Sequence, residues 1–295
     1  MVVFIPGGTF LVGSCETMMY GPQILLERDL VMVTVHYRLG ALGWLSLETD
    51  EAPGNLGLHD QHLALSWIRD NITVFGGDPD NVTLLGVSAG AMCIMCHLVS
   101  PLSQSLFHRA ISLSGSYSCV LLHNDRPPRH YAEALALRLG YTGNTEDTQH
   151  LLSFLQTVRA DDILAAQLMF SDWDHVSPLP WVALPDSFCS NPIMPLSFQD
   201  AVKRGKFQRM PVMQGLCRDD GMILTAPFFR SPDRWAALRQ DWETLAPLIY
   251  LGRERDLVTD RDRALAKEIA TFYFGKVLER ILGIYQDFLT AGGHF

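Results

Sequence analysis

The sequence predicts an α/β fold, with a mostly parallel central sheet, flanking helices and a helical cap region. Three observations predict it. In the first 120 residues, short apolar runs alternate with stretches of helical spacing, and that rhythm means a parallel sheet covered by helices. Beyond residue 120 helical stretches dominate, as expected of helices inserted over a sheet. The 295 residues are 48% apolar and only 19% charged, against roughly 25% charged in an ordinary globular chain. So apolar a chain buries enough surface to offset its ordering entropy, which excludes disorder.

The elements follow in order. Val2 to Ile5 reads as a strand stopped by Pro6-Gly7-Gly8, and Leu30 to His36 as a second, with the β-branched run of a sheet buried on both faces. Leu58 to Asp70 carries apolar residues at 63, 64, 67 and 68, a helical spacing. Gly76-Gly77-Asp78-Pro79 is a turn, Val82 to Leu85 a third strand, Ala89 to Leu98 a helix and Ala110 to Leu113 a fourth strand. Helices are expected over roughly 130–139, 147–158, 160–169 and 261–289, with a Pro-rich connection at 177–195. A short strand, Met210 to Gln214, precedes a loop from Gly215 to Gly221. No internal repeat or low-complexity tract is present. One domain is expected over 1–295, with helix-rich cap and late-sheet regions at 120–200 and 222–295.

The charge balance, 32 acidic against 23 basic residues for a net −9, argues against nucleic acid as a partner. No run approaches 18 uninterrupted apolar residues, so no transmembrane segment is expected. The N-terminus carries no signal peptide, and localisation stays open. Six cysteines are too few for a disulfide scaffold. Cys93-Ile94-Met95-Cys96 is either a redox or zinc pair or two small residues of a buried helix, and no second motif at zinc spacing accompanies it. Neither metal nor cofactor is expected. Asn71-Ile72-Thr73 and Asn81-Val82-Thr83 are glycosylation sequons inside core-like segments, where chance occurrence is the simpler account.

The chemistry centres on Gly86-Val87-Ser88-Ala89-Gly90, a G-x-S-x-G between a strand and a helix. A strand must reverse sharply into a helix there. The glycines let the two pass closely, and the serine hydroxyl stands at the positive end of the new helix. Ser88 is therefore the candidate nucleophile. Donors for an oxyanion are expected from the N–H after the serine, on Ala89, and from the Gly-rich segment after the first strand. Taken alone, Gly7-Gly8 is equally an ordinary turn.

The chain resembles the type-B carboxylesterase and cholinesterase family of the α/β-hydrolase fold. The likeness rests on Val35-His36-Tyr37-Arg38-Leu39-Gly40 with Gly43-Trp44-Leu45-Ser46, and on Gly54-Asn55-Leu56-Gly57-Leu58-His59-Asp60-Gln61 with Ala64-Leu65-Ser66-Trp67-Ile68. Phe75-Gly76-Gly77-Asp78-Pro79, Ser114-Gly115-Ser116 and Pro185-Asp186-Ser187 extend it. The resemblance implies hydrolysis of a small carboxylic ester through an acyl-enzyme on Ser88. It implies that Asp220, in Gly215-Leu216-Cys217-Arg218-Asp219-Asp220-Gly221, is the triad acid where the family usually has Glu. Gly8, Thr9 and Ala89 become the oxyanion donors, Ser114 a supporting serine near the triad, and Arg38 with Asp60 an internal structural ion pair.

The chain also departs from the pattern. Val87 stands where the family usually has Glu, and Pro6 and Thr9 flank Gly7-Gly8 where His and a small residue are usual. No histidine occupies the family's Gly-x-x-His position. His294 is the only histidine after Asp220, 74 residues on and next to the C-terminus. His97 reads as a packed helix residue. The expectation is a central piece of a longer protein, truncated at both ends and inactive as it stands for want of the triad histidine. The alternative is a non-catalytic, cholinesterase-like binding or adhesion module, against which the retained Ser88, Asp220 and oxyanion segments argue.

Overall fold

A computed structural model describes residues 1–117, 119, 124–170, 179–222 and 231–274. Its sheet has five strands: β1 (Val2–Ile5), β2 (Met32–Thr34), β3 (Thr83–Val87), β4 (Arg109–Leu113) and β5 (Val212–Gly215). They lie in the order β2-β1-β3-β4-β5, and every pairing is parallel. β1 pairs Ile5 with Gly86, β3 pairs Val87 with Leu113, and β4 pairs Leu113 with Gly215, so the carboxyl ends of four strands come level. From β1 the chain first steps to one edge and then returns to build outward on the other side. The switch point lies between β1 and β3, where such sheets open a crevice at their carboxyl ends.

The helices are α1 (Thr17–Tyr20), α2 (Gly40–Trp44), α3 (Leu56–Asn71), α4 (Ala89–Val99), α5 (Pro128–Arg138), α6 (Thr148–Thr157), α7 (Ala160–Ala166), α8 (Phe198–Lys203), α9 (Pro232–Gln240), α10 (Trp242–Leu251) and α11 (Asp260–Phe274). α4 is buried along its whole length, as its run of small and apolar residues dictates. Cys93 and Cys96 are buried in it, and burial pushes the Cys93 thiol up to about 12. His97 is packed between Gln61 and Ser103, at 2.9 and 2.7 Å. The main core joins β1, β3 and β4 to α3 and α4, and a smaller cluster holds Leu47 and Ala52 against α5 and α6.

Three expectations change. Among the described residues β2 is an edge strand paired only with β1, and none of Met32–Thr34 is fully buried, so the strand is not covered on both faces. The helix read from residues 63, 64, 67 and 68 exists, but its buried stripe is Leu58, Gln61, Leu65 and Ile68, while Leu63 and Trp67 face solvent. Helices α9 and α10 fall in the stretch expected to be helix-rich but are not among the helices the spacing located; they share a small core of Leu238, Leu245 and Leu248. An ionic seam ties their segment to the loop before α5: Arg126 pairs with Glu254 and Asp256, and Arg253 with Asp125 and Asp262. The part of the last expected helix beyond residue 274 lies outside the described residues. No helix among the described residues is long and apolar enough to cross a membrane.

Candidate active site

Ser88 sits at the bend between β3 and α4, with φ 53° and ψ −123°. This is a strained conformation for a residue with a Cβ, and it persists only because its surroundings over-determine it. The Ser88 N–H donates to Leu113 O at 2.8 Å, and Ser88 O accepts from the Met92 N–H at 3.0 Å. The flanking glycines are sterically required. A Cβ on Gly90 would stand 2.1 Å from Ile5 O, and one on Gly86 would stand 2.6 Å from the Gly90 carbonyl carbon. The serine is half-buried, neither enclosed in the core nor displaced onto the outer surface.

The segment after β1 passes directly against it. A Cβ on Gly7 would meet Val87 O at 2.5 Å and Ser88 Cβ at 3.0 Å. Gly8, Thr9 and Phe10 then run consecutively at positive φ, 132°, 54° and 62°. The Gly8 carbonyl closes the turn by accepting from the Leu11 and Val12 N–H groups and from the Thr9 hydroxyl. Ala89 opens α4, so its N–H has no acceptor within the helix. Among the described residues, the N–H groups of Gly8 and Thr9 have no backbone partner. Three amides free to donate thus lie on the two segments that meet at Ser88.

The ends of β4 and β5 complete the crevice. Ser114, at φ 52°, donates its N–H to Gly215 O at 2.8 Å, and its hydroxyl lies 4.0 Å from Cys217 Sγ. Gly115 packs against the Ser88 backbone, where a Cβ would fall 2.2 Å from Ser88 O. Asp220 follows β5 and is half-buried; its Oδ2 accepts from the Cys217 N–H at 3.3 Å. Among the described residues, no imidazole hydrogen-bonds to Ser88 or Asp220. His97 is committed to Gln61 and Ser103, and His108 accepts from the Val82 N–H at the opposite end of β3. His294 lies outside the described residues.

Arg38 and Asp60 do pair, through two guanidinium hydrogen bonds of 2.8 Å and one from the Arg38 N–H at 3.0 Å. The pair is not internal, since half of the Arg38 side chain is exposed. The reach from the chain at 38 to α3 puts it at the surface, where it orients the 37–40 segment. Two further side chains had only motif matches to single them out. Buried Asp186 accepts from Asn55 Nδ2 and from the Ile193 and Met194 N–H groups, stitching the loop before α3 to residues 184–194. Buried Tyr37 donates its hydroxyl to Pro6 O at 2.8 Å.

A glycine-flanked serine between strand and helix, at the switch point of a parallel sheet, defines the class as an α/β-hydrolase fold. The chain belongs to the carboxylesterase family, whose model matches residues 1–287. Juvenile hormone esterase of Tribolium castaneum is 31% identical over 281 residues, covering 93% of this chain and 47% of that protein. Esterase B1 of Culex pipiens is 44% identical over 170 residues, 57% of this chain and 31% of that protein. The crystal structure of juvenile hormone esterase from Manduca sexta, with OTFP covalently attached, superposes with a TM-score of 0.78 at 27% identity, covering 92% of this chain and 51% of that one. The chain thus spans about half the length of these relatives, or less.

Proposed function

We propose that this chain carries the nucleophile and oxyanion donors of a serine carboxylic ester hydrolase. The observation that supports it most directly is the contact of the Gly7–Thr9 turn with a strained, half-buried Ser88 at the head of α4. Ser88 Oγ attacks the ester carbonyl of a small carboxylic ester. The Gly8, Thr9 and Ala89 N–H groups stabilise the oxyanion; the Ser88 proton passes through an imidazole base to the departing alcohol as the acyl-enzyme forms, and water then releases the acid. Asp220 serves as the acid that orients an imidazole, Ser114 supports it beside Cys217, and the Arg38–Asp60 pair is structural. Residues 120–200 and 222–295 belong to the same domain as cap and late-sheet regions. The imidazole is not supplied by any described histidine, so Ser88 is expected to react about 10⁴-fold more slowly than in a complete triad.

The test is prolonged exposure to a fluorophosphonate probe, with and without added imidazole, followed by peptide mapping. The expected result is an adduct on Ser88 that forms faster with imidazole and is absent from Ser88→Ala. No adduct on Ser88 under either condition would overturn the assignment and favour the non-catalytic binding module.

A further inference from the structure

The Gly7–Thr9 turn is held in an unfavourable shape. Left-handed backbone costs an L-residue roughly 1–2 kcal/mol, and Thr9 and Phe10 adopt it in succession. Thr9 is β-branched, which narrows its options further. Such a segment relaxes unless something outside it fixes its ends. Two hydrogen bonds do so, both from the stretch after β2. The Tyr37 hydroxyl donates to Pro6 O at 2.8 Å, just before the turn, and the Gly40 N–H donates to Phe10 O at 2.7 Å, just after it.

The anchor is itself braced. Arg38 is held by Asp60 through backbone and guanidinium, and the Ala41 N–H donates to Gln167 Oε1 at 2.8 Å. The rings of Tyr37 and Phe10 both stand edge-on to Trp44, with centroids 6.3 and 4.9 Å away. Burial pushes the Tyr37 phenol far above its ordinary value, so it stays protonated and keeps its proton for Pro6. A trans peptide is planar, so holding Pro6 O on one side fixes the Gly7 N–H on the other and sets where the turn begins.

We propose that Tyr37 is a positioning residue whose hydroxyl, by holding Pro6 O, keeps the Gly7–Thr9 amides presented to Ser88. The proposal rests on the reading of Ser88 as the nucleophile. Tyr37 touches no substrate and acts only through the turn.

The test compares the wild-type chain with Tyr37→Phe and with 4-aminophenylalanine at position 37, which keeps a donor in the same place. Amide hydrogen exchange of Leu11 and Val12, whose N–H groups close the turn on Gly8 O, is read against that of Val3–Ile5, and the rate of fluorophosphonate labelling of Ser88 is read beside the urea midpoint. Losing one oxyanion donor costs roughly 10²–10³ in rate. A loosened turn in Tyr37→Phe is expected to slow labelling at least about tenfold, with faster exchange confined to Leu11 and Val12 and both effects reversed by the amino variant. Unchanged exchange at Leu11 and Val12, or exchange that rises equally in Val3–Ile5, overturns the proposal. So does unchanged labelling in a chain whose wild type labels. If the wild type does not label, the nucleophile reading fails, and the exchange data alone decide whether Tyr37 holds the turn.

Discussion

His97 shows what burial does to one side chain. It is wholly enclosed between Gln61 and Ser103, and desolvation pushes its pKa down to about 3. In the unfolded chain it titrates near about 6.5. Between those values the unfolded state binds the extra proton, so stability is present above about pH 6.5 and is lost as pH falls towards 3. His97→Gln, which keeps hydrogen-bonding groups without a titrating ring, should flatten the dependence of unfolding free energy on pH by up to about one proton. Urea titrations at pH 7 and pH 5 measure it. The packed role of His97 was legible because it falls inside an unbroken apolar run. The bend at Ser88 was legible because glycines two residues to either side encode a close crossing. Tyr37 was not, since a phenol that grips a carbonyl 31 residues earlier leaves no local pattern. The Arg38–Asp60 pair was legible as a pair but not in its exposure, which depends on the depth of α3.

At the scale of the element, α11 shows how a helix start is made. Thr259 Oγ1 accepts from the Asp262 N–H at 3.3 Å, while Asp262 Oδ2 accepts from the Thr259 N–H at 2.9 Å, a reciprocal capping box. Burial raises the Asp262 carboxyl, but the Thr259 hydroxyl and N–H and the Arg253 guanidinium outweigh it and hold the pKa below its usual value. Its contribution is therefore present above about pH 4 and lost as pH falls through the lowered folded value. Thr259→Ala should destabilise the chain by about 1 kcal/mol at pH 7 and by less near pH 3, measured by urea unfolding at both. The strands of the first 120 residues were legible to within a few residues because a covered parallel sheet demands β-branched, apolar runs. Helices α9 and α10 were not, since their apolar positions serve a small local core and α10 contains Pro247. Which face of α3 is buried was not legible from its apolar spacing, because the buried stripe includes a polar residue, Gln61, whose carbonyl is matched by His97.

At the scale of the whole molecule, the far side of the sheet leaves apolar side chains in water. β5 is the edge strand among the described residues, and Val212, Met213 and Leu216 are 45%, 64% and 78% exposed. An edge with that composition invites pairing with another strand, and lysines are the usual deterrent. The Val212→Lys, Met213→Lys double variant should self-associate less than the wild type as concentration rises, read by sedimentation velocity; equal association in both would assign the stickiness elsewhere. The overall charge of −9 opposes association only weakly at physiological salt, where exposed charges are screened over about 8 Å.

The strand order has a consequence for assembly in time. β1 is flanked on one side by a segment some 30 residues later and on the other by one about 80 residues later. As the polypeptide leaves the ribosome, its opening turn is made long before the serine it must face. Until β3 arrives, one whole flank of β1 stays open, and no local helix or hairpin can close it. Contacts this distant along the chain slow folding, so the crevice at Ser88 is among the later features expected to form, and a nascent chain stalled before residue 83 has half a cradle with nothing in it.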